Sequence, residues 1–384
     1  VNVPLDGTSH IGVPRILCAL FVLGSAASAV ADPANDAKNT LNRVRAAAGL
    51  GSVELDPALS AGCMKHTEYL RLNQGTEAFA RLGAHDEQPD MPGASSEGAA
   101  CAKAADIAFG QDHVPVAGGF LAGIYHRRPM LDPTLAKIGV GYSKQPDGKY
   151  IVALRFAFGK TGGQAWPVRY PVDHQVDVPF DFIGETPNPA PTMPAGYPIT
   201  LQFPPFDRVS GVRAELTDDT GQAVSAYLSD PEHPATSFPQ LGLVSLIAKH
   251  PLLPDTTYTV TIEATWRGER DTWKWQFKTV GLRMLDAADR GAVQAARGVP
   301  SRVHGTVTSA GTIDKGRTVF LTLGKGEPTL SVIVPIAVWR ELAGDEDPRS
   351  WVGRTVDVQA TPQRIRRFIN LEIRAADQLQ SNSR

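Results

Sequence analysis

Apolar positions recur mostly at helical spacing over the first 160 residues and mostly at every second position after that. Leu41, Val44 and Ala48 share one face of a helix predicted over 36–48, and Gly49-Leu50-Gly51-Ser52 then turns the chain. Asp56-Pro57 starts a second helix: the Asp side chain accepts from free backbone N–H groups, and the Pro has none to leave unpaired. Leu59, Cys63, Met64 and Leu70 carry its stripe to about Asn73. Ser95-Ser96-Glu97 opens an Ala-rich stretch, Gly98 to Phe109, that reads as a third helix. Strands follow at Ile138–Tyr142 and Tyr150–Phe156, joined by a turn at Pro146-Asp147-Gly148. The returning strand is apolar on both faces, so helices are expected on both sides of its sheet, an α-β-α sandwich.

Beyond residue 198 the alternation is clear. Thr257–Thr265 and Thr272–Lys278 place an apolar residue at every other position, which marks strands with one buried face. With Ile199–Phe203, Val212–Thr217, Ala223–Leu228 and Leu243–Ala248, they predict an immunoglobulin-like β-sandwich over 199–282. A Pro-rich stretch, 161–198, leads into it as linker and first edge. Trp273 and Trp275 are expected in the sandwich core with Phe277, although an exposed carbohydrate platform is the other reading. A helical connector, 283–301, precedes five more strands: Val303–Val307, Thr318–Leu323, Leu330–Val334, Thr355–Ala360 and Asn370–Ile373. A short helix, Ala337–Leu342, sits between the third and fourth, the order of an OB-like β-barrel over 302–384. The expected fold class is therefore multidomain, α/β followed by all-β.

The N-terminus adds a processing signal. Arg15 precedes a greasy run from Ile16 to Gly24, and small residues end at Ala29-Val30-Ala31. That order predicts a signal peptide over 1–31 and a secreted or periplasmic protein, with an uncleaved anchor as the alternative. The chain opens on Val, which suggests an unusual or misplaced start. Cys18 leaves with the signal, so Cys63 and Cys101 remain as an even pair, expected as one disulfide or as two buried thiols. Net charge is -2 over 384 residues, so no global field draws the chain to nucleic acid or to anionic lipid. A monomer without stable membrane insertion is expected.

The first module, 32–160, resembles the bacterial branch of the CAP superfamily (cysteine-rich secretory, antigen 5, pathogenesis-related 1). The likeness lies in the order of Leu41–Arg45, the helix holding His66, Ala84-His85-Asp86-Glu87, Ser96-Glu97-Gly98-Ala99, Tyr125-His126-Arg127-Arg128-Pro129 and Ile138–Tyr142. The resemblance implies a cleft with two histidines and two acidic residues, sometimes occupied by zinc or another divalent ion. His85, Glu97 and His126 carry over, with His85 and His126 as the metal-ligand candidates. The second acid does not carry over, because Val114–Ile124 holds no Asp or Glu; Asp112 and Glu87 are the nearest candidates. Two His and one carboxylate with water make a plausible open zinc site, and the same groups can act as general base without metal. The alternative is that both histidines brace loops. His66, beside Lys65 and near Glu68, reads as a half-exposed structural residue. Arg127 and Arg128 suit an anionic ligand, or ion pairs that pin their loop.

Other chemistry is excluded by what is missing. There is no Gly-x-Ser-x-Gly elbow, His-Glu-x-x-His helix or Walker loop, and no Cys-x-x-Cys follows His85-Asp86-Glu87. Arg364-Ile365-Arg366-Arg367 reads as a charged strand edge, with a phosphate contact as the other reading. These observations predict an exported, non-catalytic protein binding a divalent metal or small ligand of the envelope or exterior, with the β modules as spacers or docking surfaces. A metal-dependent hydrolase or peptidase is the alternative, and a lipid or sterol carrier, as some relatives are, the third.

Overall fold

The computed structural model describes residues 32–73, 75–76, 81–111, 119–159, 166–365 and 367–382. The expected signal segment 1–31, Asp112 and Arg366 lie outside the described residues. The first region contains α1 (Pro33–Ala47), β1 (Glu54–Leu55), α2 (Pro57–Leu72), α3 (Ser96–Ala102), β2 (Ala105–Gln111), α4 (Ile124–Met130), β3 (Leu135–Lys144) and β4 (Tyr150–Phe158). The strands form one sheet in the order β1-β3-β4-β2, parallel only between β1 and β3. Asp56 Oδ1 accepts the N–H groups of Ala58 and Leu59, so α2 starts at the Asp-Pro pair. Gly148, at φ 87, turns the β3–β4 hairpin.

Alternate residues of β4 feed cores on opposite faces. Ile151 packs with Tyr69 and Leu70, and Ala153 with Cys63 and Cys101, under α2 and α3. Val152 and Leu154 pack with Leu41 of α1 and Met130 of α4 on the other face. The helix-covered sheet expected from the pattern is therefore present. On β3, a Cβ at Gly139 would stand 2.4 Å from Leu59 Cβ, and one at Gly141 2.2 Å from the Cys63 backbone. These two missing side chains let the backbone of α2 rest directly on the strand. A disulfide joins Cys63 to Cys101, at a sequence separation of 38. On the chain-entropy account a loop of that length contributes roughly 4 kcal/mol.

The Ala-rich stretch departs from expectation. It is helical only to Ala102, and Asp106 to Ala108 pair with Leu154 to Val152 as strand β2. Closing the sheet outweighs the helix preference of alanine there.

The second region holds β5 (Val168–Tyr170), β6 (Gln175–Val178), β7 (Asp181–Phe182), β8 (Ala195–Gly196), β9 (Ile199–Gln202), β10 (Val209–Thr217), β11 (Ala226–Ser229), β12 (Leu243–Ala248), β13 (Thr257–Trp266) and β14 (Glu269–Thr279). They build two four-stranded sheets, β10-β13-β14-β6 and β11-β12-β9-β5, with β7 and β8 as a small ribbon. Val260, Ile262 and Phe277 from one sheet share a core with Ile199, Leu201 and Val244 from the other. Trp275 is buried in that core, while Trp273 lies partly buried against Phe203. The stretch 161–198 supplies strands as well as the Pro-rich lead: β5 pairs with β9, and β6 pairs in parallel with β14. At three and four residues, these strands are too short for alternation to show.

One hydrophobic core runs from the first region into the second, from Leu41 and Met130 through Tyr170 to Ile199. Arg127, only 1% exposed, spans the junction. Its Nη1 donates to the Pro198 carbonyl at 2.7 Å, and its guanidinium lies over the Tyr170 and Tyr197 rings at 4.6 and 5.1 Å. Its partners are thus carbonyls, the Thr200 hydroxyl and rings, not carboxylates.

The third region has its own core. It comprises β15 (Arg283–Asp286), α5 (Arg290–Ala295), β16 (Ser301–Ile313), β17 (Thr318–Leu323), β18 (Thr329–Pro335), α6 (Ile336–Ala343), β19 (Thr355–Ala360), β20 (Gln363–Ile365), β21 (Phe368–Glu372) and β22 (Leu379–Asn382). The sheet order is β20-β21-β18-β17-β16-β19-β22, with β15 also paired to β16. The long β16 pairs with β19 through its first half and β17 through its second, and β18 and β21 run parallel. The connector expected as a helix begins instead as β15, because its Arg283–Asp286 backbone pairs with Ser301–His304. Arg364 lies on β20, at the end of the sheet order. Among the described residues no helix is long and apolar enough to cross a membrane.

Candidate functional site

A cleft of about 580 Å³ is walled by both of the first two regions. The first contributes His85, Asp106, His126, Arg128, Phe156 and Phe158, and the second contributes Thr186, Pro187 and Phe238. The seam is stitched on one side by Tyr125, whose hydroxyl bonds Thr236 Oγ1 at 2.8 Å and whose ring meets Phe238 edge-on.

His126 belongs to the first turn of α4, where backbone N–H groups have no partner within the helix. Glu185, just after β7, fills that gap. Its Oε1 accepts from Ile124 N at 2.6 Å, and its Oε2 from Tyr125 N at 3.2 Å and His126 Nδ1 at 2.8 Å. Burial alone would push the imidazole down. The Glu185 hydrogen bond and charge, joined by the charge of Asp106 once that carboxyl ionises, outweigh burial, so its pKa is raised. Nε2 is left as the ring nitrogen without a partner among the described residues.

His85 closes the 3-10 turn Arg81–His85. Its Nδ1 faces the Ala102 carbonyl at 3.0 Å, and a carbonyl only accepts, so that nitrogen carries the proton. In the neutral ring Nε2 then holds a lone pair. Burial depresses the pKa, opposed by the Ala102 bond and reinforced by the charges of His66 and His126.

Asp106 stands on β2 between apolar neighbours. Burial, with the charge of Glu185 in support and those of His126 and Arg128 against, pushes its carboxyl up to about 8. Its Oδ2 is buried without a hydrogen-bond partner, and so is Nη1 of Arg128. Burial also lowers the Arg128 pKa. The cleft thus combines a protonated carboxyl, a basic ring nitrogen, a second imidazole and a guanidinium with unused capacity.

Residues 38–157 match the family model of the cysteine-rich secretory protein family, CAP. The chain carries a CAP domain. No curated protein matches the sequence. Among solved structures, the "putative aspartyl-tRNA synthetase" of Leishmania major Friedlin is similar at 13% identity with a TM-score of 0.18. That likeness covers 26% of this chain and only 20% of the other, and it carries no argument about either fold or function.

Within the CAP domain, the four residues expected around a ligand separate. His85 and His126 line the cleft, whereas Glu87 and Glu97 are not among its lining residues. Glu97 sits on α3 with its side chain 58% exposed and paired to Lys65 at 2.8 Å. That hydrogen bond, with others from its own backbone and Ser96, holds its carboxyl at about 2. Glu87 is buried: Oε1 meets His66 Nδ1 at 2.9 Å and Oε2 accepts Ser95 N–H at 2.8 Å. His66 is therefore not half-exposed but fully buried, because α2 is covered by the sheet on one side and by the 81–87 segment on another.

Among the described residues no three His, Cys, Asp or Glu side chains gather as a metal site. Two residues of the site escaped the sequence reading. Asp106 left a trace, an acid inside the apolar run Ala105–Ala108; Glu185 left none, being 59 residues from His126 in the chain.

Proposed function

We propose that this is an exported, non-catalytic CAP protein that holds a small ligand in the cleft between its CAP domain and the following sheets. The observation that carries the reading is the pair of buried polar atoms without partners, Asp106 Oδ2 and Arg128 Nη1, on residues that line the same cleft as His85 and His126. Buried polar atoms are almost always satisfied, so unsatisfied ones on a cleft wall favour a polar ligand or the water it displaces. Export is supported by the positive, greasy, small-residue order over 15–31 and by the disulfide, which persists in oxidising compartments. The paired four-stranded sheets support an immunoglobulin-like reading of 199–282. The placement of α6 between β18 and β19 supports an OB-like reading of 302–384. Both are assigned as spacer or docking modules.

Ligand-observed NMR with a library of small acids, amides and amines, and calorimetry with zinc, test the proposal on the full chain. Fragments held by the wild type are expected to be lost in a His85→Ala/His126→Ala variant, with zinc bound weakly or not at all. Equal fragment binding by both proteins removes this cleft as the site.

A hydrolase is the second reading, favoured by a carboxyl pushed up to about 8 in the same cleft as a histidine with a depressed pKa. It requires turnover of peptide or envelope substrates that disappears in Asp106→Asn; a preparation inert toward a broad substrate panel rules it out.

A further inference from the structure

We infer that the cleft is a two-domain site, in which Glu185 from the second region is the positioning residue that decides how His126 presents itself. The inference deepens the ligand-cleft reading and rests on it for the existence of a ligand, not for the positioning itself.

Three observations place the carboxylate. Its two oxygens are gripped by the start of α4, Oε1 by Ile124 N–H at 2.6 Å and Oε2 by Tyr125 N–H at 3.2 Å, so it cannot swing away from the ring. Oε2 receives the His126 Nδ1 proton at 2.8 Å. Gly123 makes room for this: a Cβ there would lie 2.3 Å from Oε2 and 3.1 Å from Nδ1. Phe120 stacks on the imidazole at 5.6 Å and fixes its plane.

The hydrogen bond made by one imidazole nitrogen sets what the other can do. With Nδ1–H committed to Glu185, the neutral ring has a lone pair at Nε2 and the charged ring has a donor there. The other titratable groups bearing on the ring are Asp106 on β2 and His85 on its 3-10 turn, with Lys103 and Arg128 on the same cleft. All of these belong to the CAP domain, and none is bonded to His126. The acid that the CAP resemblance called for, and that Val114–Ile124 lacks, is thus supplied from outside the domain.

The test uses the full chain labelled with ¹⁵N-histidine, with resonances assigned by His126→Gln. In the wild type the neutral His126 ring is expected in the Nδ1–H form, titrating above the usual imidazole range. Glu185→Ala should switch it to the Nε2–H form and lower its titration midpoint. Glu185→Gln, whose amide oxygen still accepts, should keep the tautomer and lose the upward shift. Gly123→Ala should reproduce Glu185→Ala with the carboxylate intact. If Glu185→Ala does not fold, Glu185→Gln and Gly123→Ala carry the test. Folded variants in which the His126 ¹⁵N shifts and titration match the wild type overturn the inference. A tautomer switch without any fragment binding would instead uphold the positioning role and remove the ligand reading.

Discussion

Two histidine–glutamate pairs of nearly equal geometry sit in this molecule, and they have opposite consequences. His66 and Glu87 meet at 2.9 Å with side chains 0% and 1% exposed. The second nitrogen of that ring faces the Ala84 carbonyl, and the second carboxylate oxygen takes the Ser95 N–H. Even the surrounding space is used, since a Cβ at Gly98 would stand 2.2 Å from Glu87 Oε1. His126 and Glu185 meet at 2.8 Å with side chains 22% and 4% exposed. There the ring keeps one nitrogen in hand, and it lines a cleft. Identical chemical types braced in a core have no capacity left for anything else, whereas at a domain junction one atom remains to act.

The comparison is sharpened first by truncating each carboxylate. Glu87→Ala strands a buried imidazole and a buried N–H, so a loss of about 3–5 kcal/mol is expected from urea unfolding. Glu185→Ala removes charge-assisted hydrogen bonds at a half-open seam, and about 1.5–3 kcal/mol is expected. Equal losses would break the distinction between brace and clasp.

A further test concerns pH. The folded Asp106 carboxyl holds its proton up to about 8, whereas its ordinary value is 3.8. The folded state therefore binds more protons between those values, and stability falls as pH rises through that window. Asp106→Asn should flatten this decline in unfolding midpoints measured from pH 4 to pH 8. A slope unchanged by the substitution would show that the cleft carboxyl titrates normally.

The smallest effect belongs to Glu97. Its partner Lys65 and its own side chain are both open to water, so Glu97→Gln should leave both the unfolding midpoint and fragment binding at their wild-type values. A loss of fragment binding would return Glu97 to the site.

Legibility in the sequence followed the range of the interactions. The Asp56-Pro57 helix start, the Asp-Gly hairpin turn and the alternation over Thr257–Thr265 are each written in a few neighbouring residues, and each appears in the structure. The Cys63–Cys101 disulfide was readable because only two cysteines remain beyond the first thirty-one residues. β2 was hidden, because its strand form depends on partners in β4 some forty-five residues away. His66 was misjudged in depth, because helical period tells which face is apolar and not how many layers cover it. Glu185 was out of reach: nothing local distinguishes a glutamate that reaches across a domain junction from one that meets water. The two cleft histidines, by contrast, lie in stretches whose order along the chain was itself informative.

Arg127, next in line after His126, reaches into the neighbouring body and is enclosed there between two tyrosine faces. Swinging the two bodies apart like the covers of a book would drag that cation off both rings and off the Pro198 oxygen at once, and would pull His126 from Glu185 in the same stroke. One clasp therefore holds the walls of the cleft together, and parting them costs every one of these contacts at once.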